Sequence, residues 1–311
     1  MVDVAHVSTL VGVLTVGTSL VLGAYVVAVL DEVIGARVGG DGGPITTALV
    51  TPWRRGAILL TQQRLATERP DATTWAIAPA TYTALAAAAL TVVPLSPSFV
   101  VADVRAGIVL YGAAEVLAMI AIFLNGWSPN SVFGLVGGYR FVALAVSYTL
   151  LSMFVLIAVA LPAESLQMSE IVRAQQGLWN VVRQPLGLPL FLVVASGIAF
   201  WGPLNLADAS DLAGGSSAEA SGSHLLVWKV ARGAMLTAGS AVGATAFLGG
   251  WLGPWLPGPV WVALKTSVLL AVLVASGHLL GRMRVERVVT VFWTVLLPLA
   301  FLDLALAGLV A

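Results

Sequence analysis

Residues 139–161 read YRFVALAVSYTLLSMFVLIAVAL, and after Arg140 the chain carries no charged side chain until Glu164. An apolar run of about 20 residues is long enough to cross the hydrocarbon core of a bilayer as a helix. Every backbone N–H and C=O group in lipid needs a partner within its own segment, and a helix provides one. This stretch therefore predicts a transmembrane helix.

The rest of the chain has the same character. Of its 311 residues, 59% are hydrophobic and only 10% are charged, whereas soluble domains carry roughly 25% charged residues. The ten-residue alternation of a transmembrane β-barrel is absent from the sequence. We predict an all-α integral membrane protein that forms a single transmembrane domain over residues 1–311. Its eight spans are expected at approximately 8–30, 75–95, 105–125, 139–161, 185–201, 224–248, 258–279 and 288–309.

Basic side chains are distributed unevenly over the connections between these spans. With eight spans, one set of loops comprises 31–74, 126–138, 202–223 and 280–287. The opposite loops hold only Arg105, Arg173 and Arg183, while most other Lys and Arg residues lie in or beside the first set. Cytoplasmic loops are enriched in Lys and Arg. We therefore expect the first set to face the cytoplasm of a prokaryotic cell, with both termini outside the plasma membrane.

Two of these loops have a distinctive composition. The first contains LVTPWRRGAILL at 49–60, in which apolar and basic residues alternate in the manner of an amphipathic helix lying in the membrane interface. An ordinary cytoplasmic helix is the alternative. The third contains GPLNLADASDLAGGSSAEASG at 202–222, which is rich in small and acidic residues. From composition this segment is predicted to be a flexible acidic linker.

Charged side chains inside the predicted spans are candidates for function, because a charge in the bilayer is costly and usually faces protein or water. Glu115 lies in the middle of the third span and is expected to relay protons or to form a buried ion pair. A protonated carboxyl group, or one paired with a neighbouring subunit, is the alternative. Lys265 lies in the seventh span and is expected to have a buried partner. Lys229 and Arg232 either anchor the interface or line an anion- or quinone-facing cavity.

Several kinds of chemistry have no support in the sequence. The chain has no cysteine, which excludes iron–sulfur clusters held by thiolates, Cys-ligated zinc and disulfides. Its three histidines are scattered, and no phosphate-binding glycine motif is present. We expect no cofactor or metal bound by this chain, no catalytic residue of its own and no nucleic-acid partner.

Five segments together resemble a known family. They are NGWSPNSVFGLVGGYR at 125–140, QPLG at 184–187, FLGGW at 247–251, PGPVWVALK at 257–265 and LLPLA at 296–300. In this order they are similar to the H subunit of NADH-quinone oxidoreductase, the membrane subunit at the quinone site of complex I. The resemblance implies an eight-helix subunit that anchors peripheral iron–sulfur electron-transfer subunits beside antiporter-like membrane subunits. It also implies a quinone substrate at the interface with a partner.

The resemblance assigns roles to particular residues. Asp31 and Arg37 resemble the acidic-to-basic stretch after the first span, and Arg282 and Arg284 match the last cytoplasmic turn. The residues expected at the quinone cavity or the docking face are Asp31, Arg37, Arg140, Asn205, Asp208, Asp211, Arg232, Arg282 and Arg284. Those expected on an intramembrane charge or proton path are Glu115, Tyr148 and Lys265.

The chain departs from the family in its acidic residues. The family has glutamate where this chain has Thr149, aspartate at Asn205 and glutamate at Arg232, and its Glu-Thr-Asn-Arg motif is replaced by residues 198–201. Three interpretations follow. The chain is a divergent member of this H-subunit family, or the related membrane anchor of an energy-converting hydrogenase or formate hydrogenlyase, or a non-catalytic scaffold subunit.

Overall fold

The computed structural model describes residues 8–40, 43–209 and 212–310, and their regular secondary structure is helical, apart from one isolated bridge between Ser96 and Phe99. The helices are α1 (Thr9–Val38), α2 (Ile45–Thr61), α3 (Ala72–Thr91), α4 (Gly107–Trp127), α5 (Val132–Ala160), α6 (Met168–Arg173), α7 (Asn180–Arg183), α8 (Gly187–Ile198), α9 (Gly222–Phe247), α10 (Gly258–Leu279), α11 (Val285–Val291) and α12 (Leu297–Val310). A π-helical segment, Phe292–Leu296, joins α11 to α12. The all-helical class predicted from the sequence is confirmed.

Helix α9 forms the centre of the bundle and contacts α1, α3, α8 and α10. Every residue from 233 to 247 is buried, and most of them are small. Small residues let membrane helices approach closely. A Cβ atom added to Gly23 of α1 would lie 2.2 Å from Cγ2 of Thr237 of α9, so the two helices cross at this glycine.

Five helical segments of the described residues are long and apolar enough to cross a membrane. They are Thr9–Val38, Gly107–Trp127, Val132–Ala163, Gly258–Leu279 and Val285–Leu309. The apolar helix α8 is shorter, and α3 and α9 are long but contain more small and polar residues. A helix thus occupies each of the eight predicted segments. Five of these helices have the length and apolar composition of membrane-spanning helices, as expected for a membrane protein.

The loop predicted at 126–138 is mostly helical. Helix α4 continues to Trp127 and α5 begins at Val132, which leaves four connecting residues, 128–131. The segment is rich in glycine because α4 and α5 approach each other closely here. A Cβ atom added to Gly126 would lie 2.5 Å from the carbonyl oxygen of Gly134.

Loop 202–223 also differs from its prediction, because its described residues fold against the bundle and do not form a flexible acidic linker. Leu204, Leu206 and Ala207 are buried in the core. Their apolar side chains hold the segment in place although its composition is that of a linker. In loop 31–74, α1 extends to Val38 and α2 covers Ile45–Thr61, so a helix stands where the amphipathic one was predicted.

Candidate functional site

A cavity of about 470 Å³ lies between α1, α2, α9 and the end of α10. We refer to it as the α1–α9 cavity. Its wall combines apolar side chains with a concentration of charge. The charged residues that line it are Asp31, Glu32, Arg55, Lys229, Arg232, His278 and Arg282. Helices from both ends of the sequence therefore supply the polar groups of one site.

The two acidic residues of the wall lie side by side in the last turns of α1. Nε2 of His278 lies 2.8 Å from Oδ1 of Asp31, which joins the ends of α10 and α1. The guanidinium group of Arg55, on α2, contacts the carboxylate of Glu32. These two pairs fix α2 and α10 against α1 at the mouth of the cavity.

Arg232 anchors the opposite wall. Its Nη1 lies 2.8 Å from Oδ2 of Asp208, and its Nη2 donates to the carbonyl oxygen of Phe200 at 2.5 Å. The other carboxylate oxygen of Asp208 accepts from Ser216 at 2.9 Å and from Nε1 of Trp228 at 3.1 Å. The side chain of Asp208 is 2% exposed. A buried charge is tolerated when it is paired and hydrogen-bonded in this way.

Two polar groups of the wall have no partner among the described residues. The ammonium group of Lys229 forms no hydrogen bond or ion pair there, although it lines the cavity one helical turn from Arg232. Oδ1 of Asn205 is buried without a hydrogen-bond partner. Unpaired buried polar atoms are costly. Two residues of the cavity wall thus each have a polar group without a partner, while the other polar groups of the wall are largely paired.

The remaining residues predicted for the cavity or docking face lie around it. Arg140 donates to the carbonyl oxygens of Leu206, Leu212 and Gly214 and so holds loop 202–223. Arg37 lines a smaller neighbouring cavity between the end of α1 and the start of α2. Arg284 occupies the N-cap position of α11. The prediction for Asp211 falls outside the described residues.

The three residues predicted for an intramembrane path lie apart. Glu115 accepts a hydrogen bond from Oγ of Ser152, and the buried hydroxyl of Tyr148 has no hydrogen-bond partner. Nζ of Lys265 donates to the carbonyl oxygens of Gly250 and Leu252 at 2.9 and 2.7 Å. Among the described side chains no hydrogen bond joins any two of the three.

Lys265 has the buried partners that its position in the sequence led us to expect, although they are not carboxylates. Besides the two carbonyl oxygens, its ammonium group lies 4.4 Å from the ring centre of Trp179 and 5.4 Å from that of Trp261. Cation–π contacts stabilise a charge that has left water. The lysine thus ties α10 to the connection that follows α9.

Sequence reasoning missed His278 and Glu32 at this site. His278 looked like one of three scattered histidines, and its partner Asp31 lies 247 positions earlier in the chain. Glu32 follows Asp31 directly in the sequence, and this position next to a predicted site residue could have identified it. His278 in the last turn of α10 and Arg282 in the connection that follows both line the cavity.

Comparisons with known proteins agree on one family. A family model described as NADH dehydrogenase matches residues 10–308. The NADH-quinone oxidoreductase H subunit 2 of a Rhodopseudomonas palustris strain is 34% identical over 253 residues, which cover 81% of this chain and 79% of that protein. The NADH-quinone oxidoreductase H subunit 1 of strain BisA53 is 34% identical over 241 residues, 77% of this chain and 76% of its own length.

Proposed function

This chain belongs to the NADH dehydrogenase family, with H subunits of NADH-quinone oxidoreductase among its relatives, and from this premise we propose that it forms the membrane wall of a quinone site. In this proposal its eight predicted segments all cross the membrane, and its α1–α9 cavity receives the quinone. Family membership implies a multi-subunit complex of the complex I type. The chain supplies the surroundings of the quinone, and partner subunits supply its electrons.

The observation that carries the proposal is the unpaired ammonium group of Lys229 in a half-apolar cavity. A quinone is an apolar ring with carbonyl oxygens that accept hydrogen bonds, and Lys229 offers donors without a competing partner among the described residues. Leu59, Leu226 and Val27 supply apolar wall for the ring and its tail. Binding sites of this kind combine an apolar lining with a few placed polar groups.

The connections beside the cavity support a docking role. The backbone N–H of Leu65 donates to Oγ of Ser221 at 2.8 Å, and that of Asp71 donates to the carbonyl oxygen of Ser128 at 2.8 Å. Oγ of Ser131 donates to Glu219 at 2.6 Å. Three connections thus form one surface, on which we place the peripheral iron–sulfur subunits. The assignment of Glu115, Tyr148 and Lys265 to a proton path stays a prediction.

The first experiment identifies the proteins that co-purify with a tagged copy of this chain from membranes. Iron–sulfur subunits, together with quinone reduction that quinone-site inhibitors block, are the expected result. Hydrogen evolution without quinone reduction would instead indicate the membrane anchor of an energy-converting hydrogenase. A chain that purifies alone would contradict both.

Filling the cavity provides the second experiment. Gly56 lies on the cavity wall, and a Cβ atom added there would meet only Leu226, at 3.8 Å. Gly56→Trp is therefore expected to raise the KM for quinone about tenfold or more, because the indole occupies the space of the ring. Gly17→Trp is the matched control, since a Cβ atom at Gly17 meets nothing within 4 Å and lies outside the cavity. An unchanged KM in Gly56→Trp would rule this cavity out.

A further inference from the structure

A second large cavity lies between α1, α9 and α10. It has a volume of about 320 Å³ and also reaches the connection between α3 and α4, and we call it the α1–α10 cavity. On α1 its lining extends from Thr15 to Val26, whereas that of the α1–α9 cavity extends from Ala24 to Glu32. The two cavities therefore lie toward opposite ends of α1, which is one of the helices long enough to cross a membrane.

The lining of the α1–α10 cavity is mainly apolar. Leu22 of α1, Leu90 of α3 and Leu270 of α10 contribute to it, and no charged side chain does so among the residues that the structure describes. The hydroxyl groups of Thr15 and Ser267 also line it, but each donates to the carbonyl oxygen four residues earlier in its own helix. Apolar cavities disfavour water and polar ligands. The lining therefore selects an apolar occupant.

A close contact between α1 and α9 separates the two cavities. A Cβ atom added to Gly23 would lie 2.2 Å from Cγ2 of Thr237, and both residues line the α1–α10 cavity. One turn away, a Cβ atom added to Gly233 would lie 3.2 Å from Cα of Ala24, and both of these residues line the α1–α9 cavity. The two cavities share no lining residue. An occupant of the α1–α10 cavity is therefore expected to enter from the surrounding membrane.

The width of the cavity favours a lipid tail over a protein helix. The three helices that surround the cavity contact one another in all three pairs. A helix about 10–12 Å wide would have to force α1 and α10 apart, whereas a single acyl chain is much thinner. Leu22 is 62% exposed at the edge of the cavity, and Leu264 and Val268 of α10 are exposed as well. Lipid tails that contact these side chains can thus extend between α1 and α10.

One end of the cavity lies where α10 begins. Leu95 and Pro259 line it there, and a Cβ atom added to Gly258 would lie 2.9 Å from the carbonyl oxygen of Leu95. The connection between α3 and α4 thus packs against the start of α10. Trp255, three residues before Gly258, is 91% exposed, and tryptophan is enriched at the interface between membrane and water. This end of the cavity therefore lies near the level at which acyl chains join their headgroups.

We propose that the α1–α10 cavity holds one acyl chain of a membrane phospholipid, whose headgroup stays at the interface near the start of α10. The chain fills apolar space that the protein leaves open, and the burial of its methylene groups favours binding. This lipid belongs to the leaflet opposite the α1–α9 cavity. It can be bound whether or not the α1–α9 cavity receives a quinone.

Photo-crosslinking in the purified complex identifies the occupant. A benzoylphenylalanine replaces either Leu22, which lines the cavity, or Val21, which is exposed to a similar extent but lies outside it. The complex is washed with lipid-free detergent before irradiation, so that loosely associated lipid is removed. The expected result is a phospholipid adduct at position 22, identified by mass spectrometry, in about tenfold higher yield than at position 21.

Three results of this experiment would overturn the proposal. They are equal yields of lipid adduct at the two positions, no lipid adduct at position 22, and an adduct at position 22 with quinone or with another subunit in its place.

A substitution that fills the cavity provides the second test. Ser267 lines the cavity from α10, and the next residue, Val268, lies outside it. In Ser267→Trp, combined with benzoylphenylalanine at position 22, the indole occupies the space of the chain, so the yield of lipid adduct should fall about tenfold or more. Val268→Trp is the matched control and should leave the yield unchanged. Equal yields in these two variants would contradict the proposal.

A second pair of variants repeats the test from α1. Ser19 lines the cavity and Thr18 does not, so Ser19→Trp should lower the yield and Thr18→Trp should not. Thermal unfolding shows whether each variant keeps its fold, and this pair decides the outcome if Ser267→Trp does not. Quinone reduction is expected to remain in both pairs, because the two cavities share no lining residue. The lipid adduct is expected even if the proposed quinone site is wrong.

Discussion

At the scale of single residues, the charged side chains of the α1–α9 cavity pair with groups that lie far from them in the sequence. Asp31 and Arg232 were expected at a quinone cavity or docking face, and both line the α1–α9 cavity, whose role is a proposal. Their partners, His278 and Asp208, follow from the tertiary arrangement. Arg140 was expected at the cavity or docking face, and its partners are carbonyl oxygens of a loop more than 60 residues away. Such pairings carry no signal in local spacing or composition.

One departure from the acidic pattern that the resemblance implies lies close to Glu115. The resemblance implies glutamate where this chain has Thr149, and Thr149 and Glu115 line the same groove between α4 and α5. The carboxyl group of Glu115 on α4 thus lies near position 149 on α5, where the resemblance implies a carboxyl group in the family. We propose that Glu115 on α4 takes over the role of a proton carrier from that position, since a carboxyl group on either helix could serve.

This exchange predicts a rescue. Glu115→Ala is expected to lower the number of protons translocated per quinone reduced, measured in proteoliposomes, because no carboxyl group remains in the groove. Adding Thr149→Glu to that variant should restore much of the ratio. Thr149→Gln is the matched control and should not restore it, since an amide does not carry a proton. If Glu115→Ala leaves the ratio unchanged, Glu115 carries no protons.

At the scale of secondary structure elements, the helices were predictable and their ends were not. Hydropathy does not fix the ends of a helix, because α1 continues beyond its predicted span to Val38 and α5 begins before its own, at Val132. Loop 202–223 was misjudged because its small residues resemble a linker. In the structure they allow the segment to lie directly on the backbone of α5.

The contact between this loop and α5 depends on Gly137. A Cβ atom added there would lie 2.2 Å from the backbone N of Ser216 and 2.3 Å from the carbonyl carbon of Gly215. Gly137→Ala is therefore expected to displace the loop and lower the free energy of unfolding by about 1–3 kcal/mol. Limited proteolysis of the complex should cut residues 212–221 faster than in the unmodified protein.

A second glycine provides the control. Gly177→Ala makes the same change where an added Cβ atom meets nothing within 4 Å, so neither stability nor proteolysis should change. Equal cleavage rates in Gly137→Ala and the unmodified protein would show that the loop does not depend on this close approach.

At the scale of the whole molecule, composition alone predicted a helical membrane protein, and charge distribution predicted its orientation. The segments rich in Arg and Lys border the α1–α9 cavity and the connections beside it. Hydropathy does not single out α9, because a helix surrounded by protein needs small residues more than apolar ones. The sequence nevertheless predicts a span at 224–248, and α9 covers Gly222–Phe247.

The orientation can be tested because the chain has no cysteine of its own. Glu68→Cys and Ser98→Cys introduce single thiols at exposed positions in the connections before and after α3. In intact cells a membrane-impermeant maleimide should label position 98 only, and in inverted vesicles position 68 only. The reverse pattern would place the termini in the cytoplasm, against the positive-inside distribution.

The contact between Asp31 and His278 has a consequence for biogenesis. At a synthesis rate of about 5–20 residues per second, the histidine leaves the ribosome roughly 12–50 s after the aspartate, because they are 247 positions apart. Until then Asp31 lacks this partner, although α9, which ends at Phe247, has already been synthesised. The corner of the molecule that closes the cavity is therefore completed near the end of translation, after most of the other helices have left the translocon.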